Sequence, residues 1–372
     1  MIIINKLKNT ILKISVIFFI LNLFTSISVV KAEAYSNIVF KNITIEDGLA
    51  QATVECMIQD SRGYMWFGTN DGLSRYNGHE FEVYRNEIGV DNSIVNNYIV
   101  CMNEDRDGNL WIGTIDGASK INLSTNEITN YKNSSGLSNN NITEILVTKD
   151  GEILLATIDG LNIYDKTNDR FTRIFNNEHL KDQEIYSLDE DINGDIWLGG
   201  SKNITKINLK NNTCEDFSDI NKEYEKINDC AYKVLCDDKY IWVGTISNGL
   251  YKINIETSQI ETINLSNSKI SSNNIHTIMK DKNGIMWIGT DSGLVKYDSK
   301  NDEYNTYVNK AYDKYSLVDD YVYSVIQDRS GLIWVGTYAG VSMFEPENKI
   351  EHYKVDPLSH SSINENLIHG IY

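Results

Sequence analysis

A short phrase returns seven times along this chain, at intervals of 43 to 47 residues: a polar turn, an apolar pair ending in an anchor residue, Gly-Thr in most copies, then a glycine opening a second apolar stretch. The anchors are Trp66, Trp111, Leu154, Trp197, Trp242, Trp287 and Trp334, so all six tryptophans serve the repeat and a leucine stands in once. A period this long, filled by short strands rather than helices, predicts a β-propeller.

Each copy can be read strand by strand. Twelve places before the anchor the residue is apolar, allowing for a one-residue deletion in the fifth copy: Val54, Ile99, Ile142, Ile185, Ala231, Ile275 and Val322. This predicts a buried innermost strand. The turn that follows reads Asp60-Ser61-Arg62-Gly63 in the first copy and Asp328-Arg329-Ser330-Gly331 in the last. An Asp that accepts nearby backbone N–H groups and a Gly at positive φ are what a tight hairpin requires. The anchor strand comes next, and its indole is expected to pack on the neighbouring unit, burying on the order of 150–250 Å². A third strand begins at Gly72, Gly117, Gly160, Gly249, Gly293 and Gly340, the fourth copy lacking this glycine, and an aromatic-rich stretch such as Phe81 to Tyr84 supplies a fourth. The expectation is therefore an all-β, seven-bladed β-propeller of four-stranded antiparallel blades over residues 35–357. An incomplete eighth repeat is expected over 358–372, where Ile368 and Ile371 match Val322 and Val325. Half a blade leaves backbone groups unpaired, so this tail implies either a longer chain or an unusual wrap onto the ring. Two segments compete to close the ring, Ile38 to Ile45 and Ile350 to Val355.

Residues 1–34 read as an export segment, with Lys6, Lys8 and Lys13 before an apolar run from Ile14 to Val30 and small residues at Ala32 and Ala34. Cleavage after Ala34 is expected, and an uncleaved membrane anchor is the competing reading. The body of the protein is thus expected in the periplasm or outside the cell. A net charge of −18 repels phosphate backbones, which argues against nucleic acid as a partner. Five cysteines, with Cys56 and Cys101 in the same repeat column, read as small apolar residues within a sheet rather than a disulfide framework. No spacing suits a metal, and no pattern points to a cofactor. Asp105-Arg106-Asp107-Gly108 lacks the acidic residue that would close a calcium loop.

The wording Gln59-Asp60-Ser61-Arg62-Gly63-Tyr64-Met65-Trp66-Phe67-Gly68-Thr69-Asn70-Asp71-Gly72-Leu73-Ser74-Arg75-Tyr76-Asn77-Gly78, with Asp47-Gly48-Leu49 before it, resembles the two-component regulator propeller repeat. The resemblance runs over about residues 38 to 372. It implies the extracytoplasmic sensor of a hybrid histidine kinase or diguanylate cyclase: two propellers, a β-sandwich, a membrane helix and an output domain, with a homodimer in the full receptor. No sandwich, second membrane span or kinase sequence is read in these 372 residues, so the sensing module alone carries over. A small molecule or an oligosaccharide is the implied ligand, and the downstream signalling domains are the implied partners.

Loops between blades meet at one end of a propeller, and the candidate ligand-binding residues are drawn from there: Tyr98, Asn141, Tyr186, Tyr232, Asn274, His276, Tyr321, Tyr323 and Tyr338. Tyr186, Tyr232, His276 and Tyr323 occupy one repeat column and are expected to converge around one mouth of the ring. Aromatic faces stack on sugar rings, and Asn offers paired donors and acceptors. The plainer reading of the Asn and Asp residues is that they cap turns. No catalytic residue is assigned. The rival classes are a carbohydrate-active propeller enzyme working through paired carboxylates, and a non-catalytic propeller whose rim binds a protein.

Overall fold

The computed structural model describes residues 38–346 apart from 176–179, 181–182, 202 and 218–228. Seven four-stranded antiparallel sheets stand in it, and in six of them the strands follow chain order from the innermost outward. The innermost strands are Val54–Gln59 in blade 1, Ile99–Glu104 in blade 2, Ile142–Val147 in blade 3, Ile185–Glu190 in blade 4, Ala231–Cys236 in blade 5, Ile275–Lys280 in blade 6 and Val322–Gln327 in blade 7. Their first residues are buried, as the repeat pattern predicts.

Blade 7 takes its outermost strand from the other end of the chain. Lys41–Ile43 pairs antiparallel with Gly340–Phe344, Lys41 lying opposite Met343 and Ile43 opposite Val341. This strand is shorter than the eight residues expected, because Thr44 already caps a 3-10 turn: its Oγ1 accepts from the Glu46 N–H while Asp47 accepts from the Thr44 N–H. The competing segment Ile350 to Val355, the eighth repeat and the export segment lie outside the described residues. Closure is completed by packing, with Trp334 and Val341 of blade 7 sharing one apolar cluster with Val54, Met57 and Phe67 of blade 1.

The indoles wedge successive blades, as expected. Trp111 of blade 2 lies 4.8 Å from the Tyr164 ring and 5.8 Å from Phe171, both of blade 3. The turn aspartate has a second task that its hairpin role does not reveal. In blade 1, Asp60 Oδ1 accepts the N–H groups of Arg62 and Tyr64, while Oδ2 accepts the Trp66 indole N–H at 2.9 Å. The same clasp recurs at Asp105–Trp111, Asp191–Trp197, Asp237–Trp242, Asp281–Trp287 and Asp328–Trp334, at 2.8–3.0 Å. A cation covers five of the indoles, from Arg75, Lys120, Lys206, Lys252 and Lys296. Blade 3 has none of these parts, since Thr148, Leu154 and Ile163 stand where blade 2 has Asp105, Trp111 and Lys120.

Candidate functional site

One register slip shapes the centre of the ring. In all seven blades the innermost strand shifts between its first and third residues, leaving the second out of the pairing: Glu55, Val100, Thr143, Tyr186, Tyr232, His276 and Tyr323. A β-bulge re-aims the unpaired side chain. In blades 4 to 7 the four aromatic members meet edge to face or tilted: Tyr186 lies 5.7 Å from Tyr232, Tyr232 is 6.1 Å from His276, and His276 is 5.9 Å from Tyr323. Tyr321 completes the arc, 4.6 Å from His276 and 4.8 Å from Tyr323. The expected convergence of Tyr186, Tyr232, His276 and Tyr323 is therefore present as a continuous ring-to-ring arc, partly open to solvent.

Glu55 faces this arc from blade 1 and went unnoticed in the sequence, although it shares the column of the four aromatics. The Tyr98 hydroxyl donates to its Oε1 at 3.1 Å. Burial raises the Glu55 carboxyl above its ordinary range, against the hydrogen bonds from Tyr98 and Asn70. Burial, and then the Glu55 charge, push Tyr98 up to about 12. The same two causes raise Tyr323 and Tyr232, which places the Glu55 charge within reach of rings on blades 5 and 7. Burial also raises Tyr186, whose hydroxyl donates to Glu184, and Tyr321. His276 moves the other way: burial lowers it, although Asp291 pulls upward. Its Nε2 is buried and has no hydrogen-bond partner. The mouth thus combines phenols, an imidazole whose Nε2 is buried and unpaired, and the carboxylates of Glu55, Glu184 and Asp291.

One residue further along the strands lies a second feature missed in the sequence. Lys233 of blade 5 pairs with Glu144 of blade 3 at 2.7 Å. Blade 4 lies between these two in the ring, so the pair closes across the channel rather than along a blade face. Burial opposes the Lys233 charge, yet Glu144 prevails and raises the ammonium above its usual value. In the same column the other blades carry small residues, Cys56, Cys101, Ser187, Thr277 and Ser324. Two long charged side chains in a column of small ones were the available signal.

The remaining candidates divide. Asn274 donates to Asp291 at 3.4 Å, and its N–H is held by Ser272. Asn141 is tied through its backbone, donating to Asn139 Oδ1 and accepting from the Ile158 N–H. Tyr338 is 60% exposed on the rim and accepts through its carbonyl from Thr53. Turn capping is the role seen for the neighbouring polar residues. The carbonyls of Asn97, Asn140, Asn273 and Asp320 accept the N–H groups of Gly72, Gly117, Gly249 and Gly293, while their side chains hold the strand exits at Asn86, Asn133, Leu265 and Asn309.

The geometry is that of a seven-bladed propeller with an aromatic arc at one mouth of its channel. Four of its repeats match the two component regulator propeller family, at residues 48–71, 93–116, 269–292 and 316–339. Over 72 residues, 19% of this chain, the sequence is 42% identical to histidine kinase P4 of Formosa agariphila, of which that stretch makes up 5%. The extracellular domain of a hybrid two component system from B. thetaiotaomicron has a similar structure, with a TM-score of 0.69 at 23% identity, covering 82% of this chain and 42% of that one. The extracellular domain of a one component system from the same organism gives 0.68 at 22%, covering 82% and 40%. Virginiamycin B lyase from Staphylococcus aureus gives 0.62 at 13%, covering 82% and 98%. At such identities the structures speak for the fold alone, and the fold is shared by receptor domains and a lyase. The chain spans less than half the length of the two receptor domains. Among the described residues no helix is long and apolar enough to cross a membrane.

Proposed function

We propose that this chain is the ligand-recognition propeller of a two-component signalling receptor, exported through residues 1–34 and acting with output domains beyond its own sequence. It takes a small neutral or cationic ligand, such as a glycan fragment, at the aromatic mouth. The observation that carries the reading is the arc of Tyr186, Tyr232, His276, Tyr321 and Tyr323, five rings delivered by four successive blades in contact with one another. Ring faces offer flat apolar area at little conformational cost, while the Glu55 carboxylate offers directed hydrogen bonds to hydroxyl groups. Binding would bias the receptor only through a difference in affinity between its two arrangements.

The test is a panel of oligosaccharides, read by melting temperature and by product formation on the same samples. A saturable rise in melting temperature without turnover is expected, lost in Tyr232→Ala, a position 38% exposed whose truncation leaves the core intact. Product formation would replace sensing with catalysis. A ligand-induced shift that survives both Tyr232→Ala and His276→Ala would remove the mouth from the proposal.

A further inference from the structure

Blade 3 lacks its indole, and the space is not refilled. A cavity of about 350 Å³ opens between blades 3 and 4, away from the channel, with Thr148, Ile163, Ile174, Phe175, Ile196 and Leu209 among its walls. Shifting each wall residue back by one repeat shows what the cavity is. Thr148 stands for Asp105, Ile163 for Lys120, Ile174 for Tyr131 and Ile196 for Ile153. These are the residues around Trp111 one blade earlier: Asp105 accepts its N–H, Lys120 lies over it at 5.4 Å, Tyr131 sits 5.4 Å away, and Ile153 shares its apolar cluster. A fifth wall residue, Asn212, stands for Asp169, which in blade 3 gathers Tyr131 and Lys120. The cavity is the indole slot of the blade 3–4 interface, with the charged and phenolic groups that contact or surround Trp111 replaced by the uncharged Thr148, Ile163, Ile174 and Asn212.

We infer that this slot is a second binding site, which takes a planar bicyclic heteroaromatic of the indole class carrying a positively charged arm. The floor is apolar, and the fully buried Leu154 shares one apolar cluster with the wall residues Ile163, Ile174, Ile196 and Leu209. Thr148 Oγ1 accepts one N–H from Glu152 at 3.0 Å and keeps a second lone pair for a ring N–H. The rim supplies the charge preference. Asp150, Glu152 and Glu190 border the opening against the single cation Lys210, which is already paired with Asp150 at 2.9 Å. Apolar walls with a few directed polar groups, in a volume of a few hundred Å³, are what small-molecule sites share.

The experiment titrates the full chain with tryptamine, indole and indole-3-acetate by calorimetry. Tryptamine is expected to bind saturably and about threefold more tightly than indole, the preference an exposed carboxylate rim can give, with indole-3-acetate weaker than both. Leu154→Trp, which restores the repeat's own occupant, is expected to raise the melting temperature and abolish tryptamine binding. Glu190→Gln keeps the slot and is expected to narrow the gap between tryptamine and indole, which provides a readout even where Leu154→Trp folds poorly. Tyr232→Ala at the mouth is expected to bind tryptamine as the parent does. Absence of saturable binding to the parent chain, unchanged binding in a folded Leu154→Trp, or loss of binding in Tyr232→Ala would each overturn the assignment.

Discussion

The interface between blades 2 and 3 and the one between blades 3 and 4 are built on the same backbone and joined by opposite chemistry. In the first, Trp111 is fully buried, held at its N–H by Asp105, covered by Lys120 and boxed by Tyr131, Tyr164 and Phe171. In the second, Leu154 is also fully buried, but its neighbours Ile163, Ile174 and Leu209 leave a cavity open to the surface. The lesson is that hydrogen-bonded register, not the indole, forms a blade. Blade 3 pairs its four strands as regularly as blade 2 does. The indole governs instead how tightly one blade seats on the next, and a ring of seven tolerates one loose seat.

The largest effect is expected from imposing the loose arrangement on the tight interface. Trp111→Leu removes aromatic burial and one of the two donors to the buried Asp105 Oδ2, leaving it only Asn109 Nδ2, which together destabilise by roughly 3–5 kcal/mol. Adding Asp105→Thr, the blade 3 pairing, removes the carboxylate that has lost its indole partner. The double variant is therefore expected to be less destabilised than the sum of the singles, with a coupling of about 1–2 kcal/mol by denaturant titration. Strict additivity would mean that the clasp contributes nothing beyond two independent contacts.

A smaller effect concerns the backbone behind the indole. Blade 2 has Gly113 where blade 3 has Ala156, and the other five blades also carry glycine there. A Cβ at Gly113 would lie 2.4 Å from Cys101 Sγ and 2.7 Å from Ile142 Cγ2. Blade 3 escapes the first clash because Glu144, in the column of Cys101, turns into the channel to meet Lys233. Gly113→Ala is expected to destabilise by about 1–3 kcal/mol through overpacking, with part recovered by Cys101→Ala, which deletes the crowding sulfur. Thermal denaturation of the single and double variants decides it, and a neutral Gly113→Ala would show that the blade can relax around a methyl group.

Much of this was legible in the sequence because a repeat supplies its own comparison. Seven copies of one pattern placed the strands, the hairpin turns and the buried anchors, and the column shared by Tyr186, Tyr232, His276 and Tyr323 placed the mouth. Geometry that depends on the ring as a whole was not legible. Lys233 and Glu144 are 89 residues apart, and nothing local says that they meet across a channel. The bulge that aims Glu55 inward is invisible to an alternation pattern, which only reports that the next residue faces the other way. Leu154 was visible as a departure from the repeat, but a leucine in a core column reads as conservative until the walls around it are seen to be small as well.

The same column comparison yields the smallest expected effect, and the one most specific to the mouth. Blade 2 places Val100 where blade 6 places His276, so His276→Val converts the titrating position into its silent counterpart. Burial holds the folded His276 below its ordinary value of 6.5. Between that lowered value and 6.5 the unfolded chain binds the proton and the folded chain does not, so stability rises with pH across this window and is lost as the solution is acidified through it. Glu55, raised by burial, acts with the opposite sign in a window above 4.5, and subtracting the variant's curve from the parent's removes it because both proteins carry it. Denaturant titrations from pH 7.5 down to about 5 are therefore expected to show the parent losing stability relative to His276→Val. The variant's loss of ring contacts with Tyr321 and Tyr323 appears as a pH-independent offset. Parallel curves would mean that the imidazole takes up its proton as readily folded as unfolded, and would place blade 6's share of the mouth in open water.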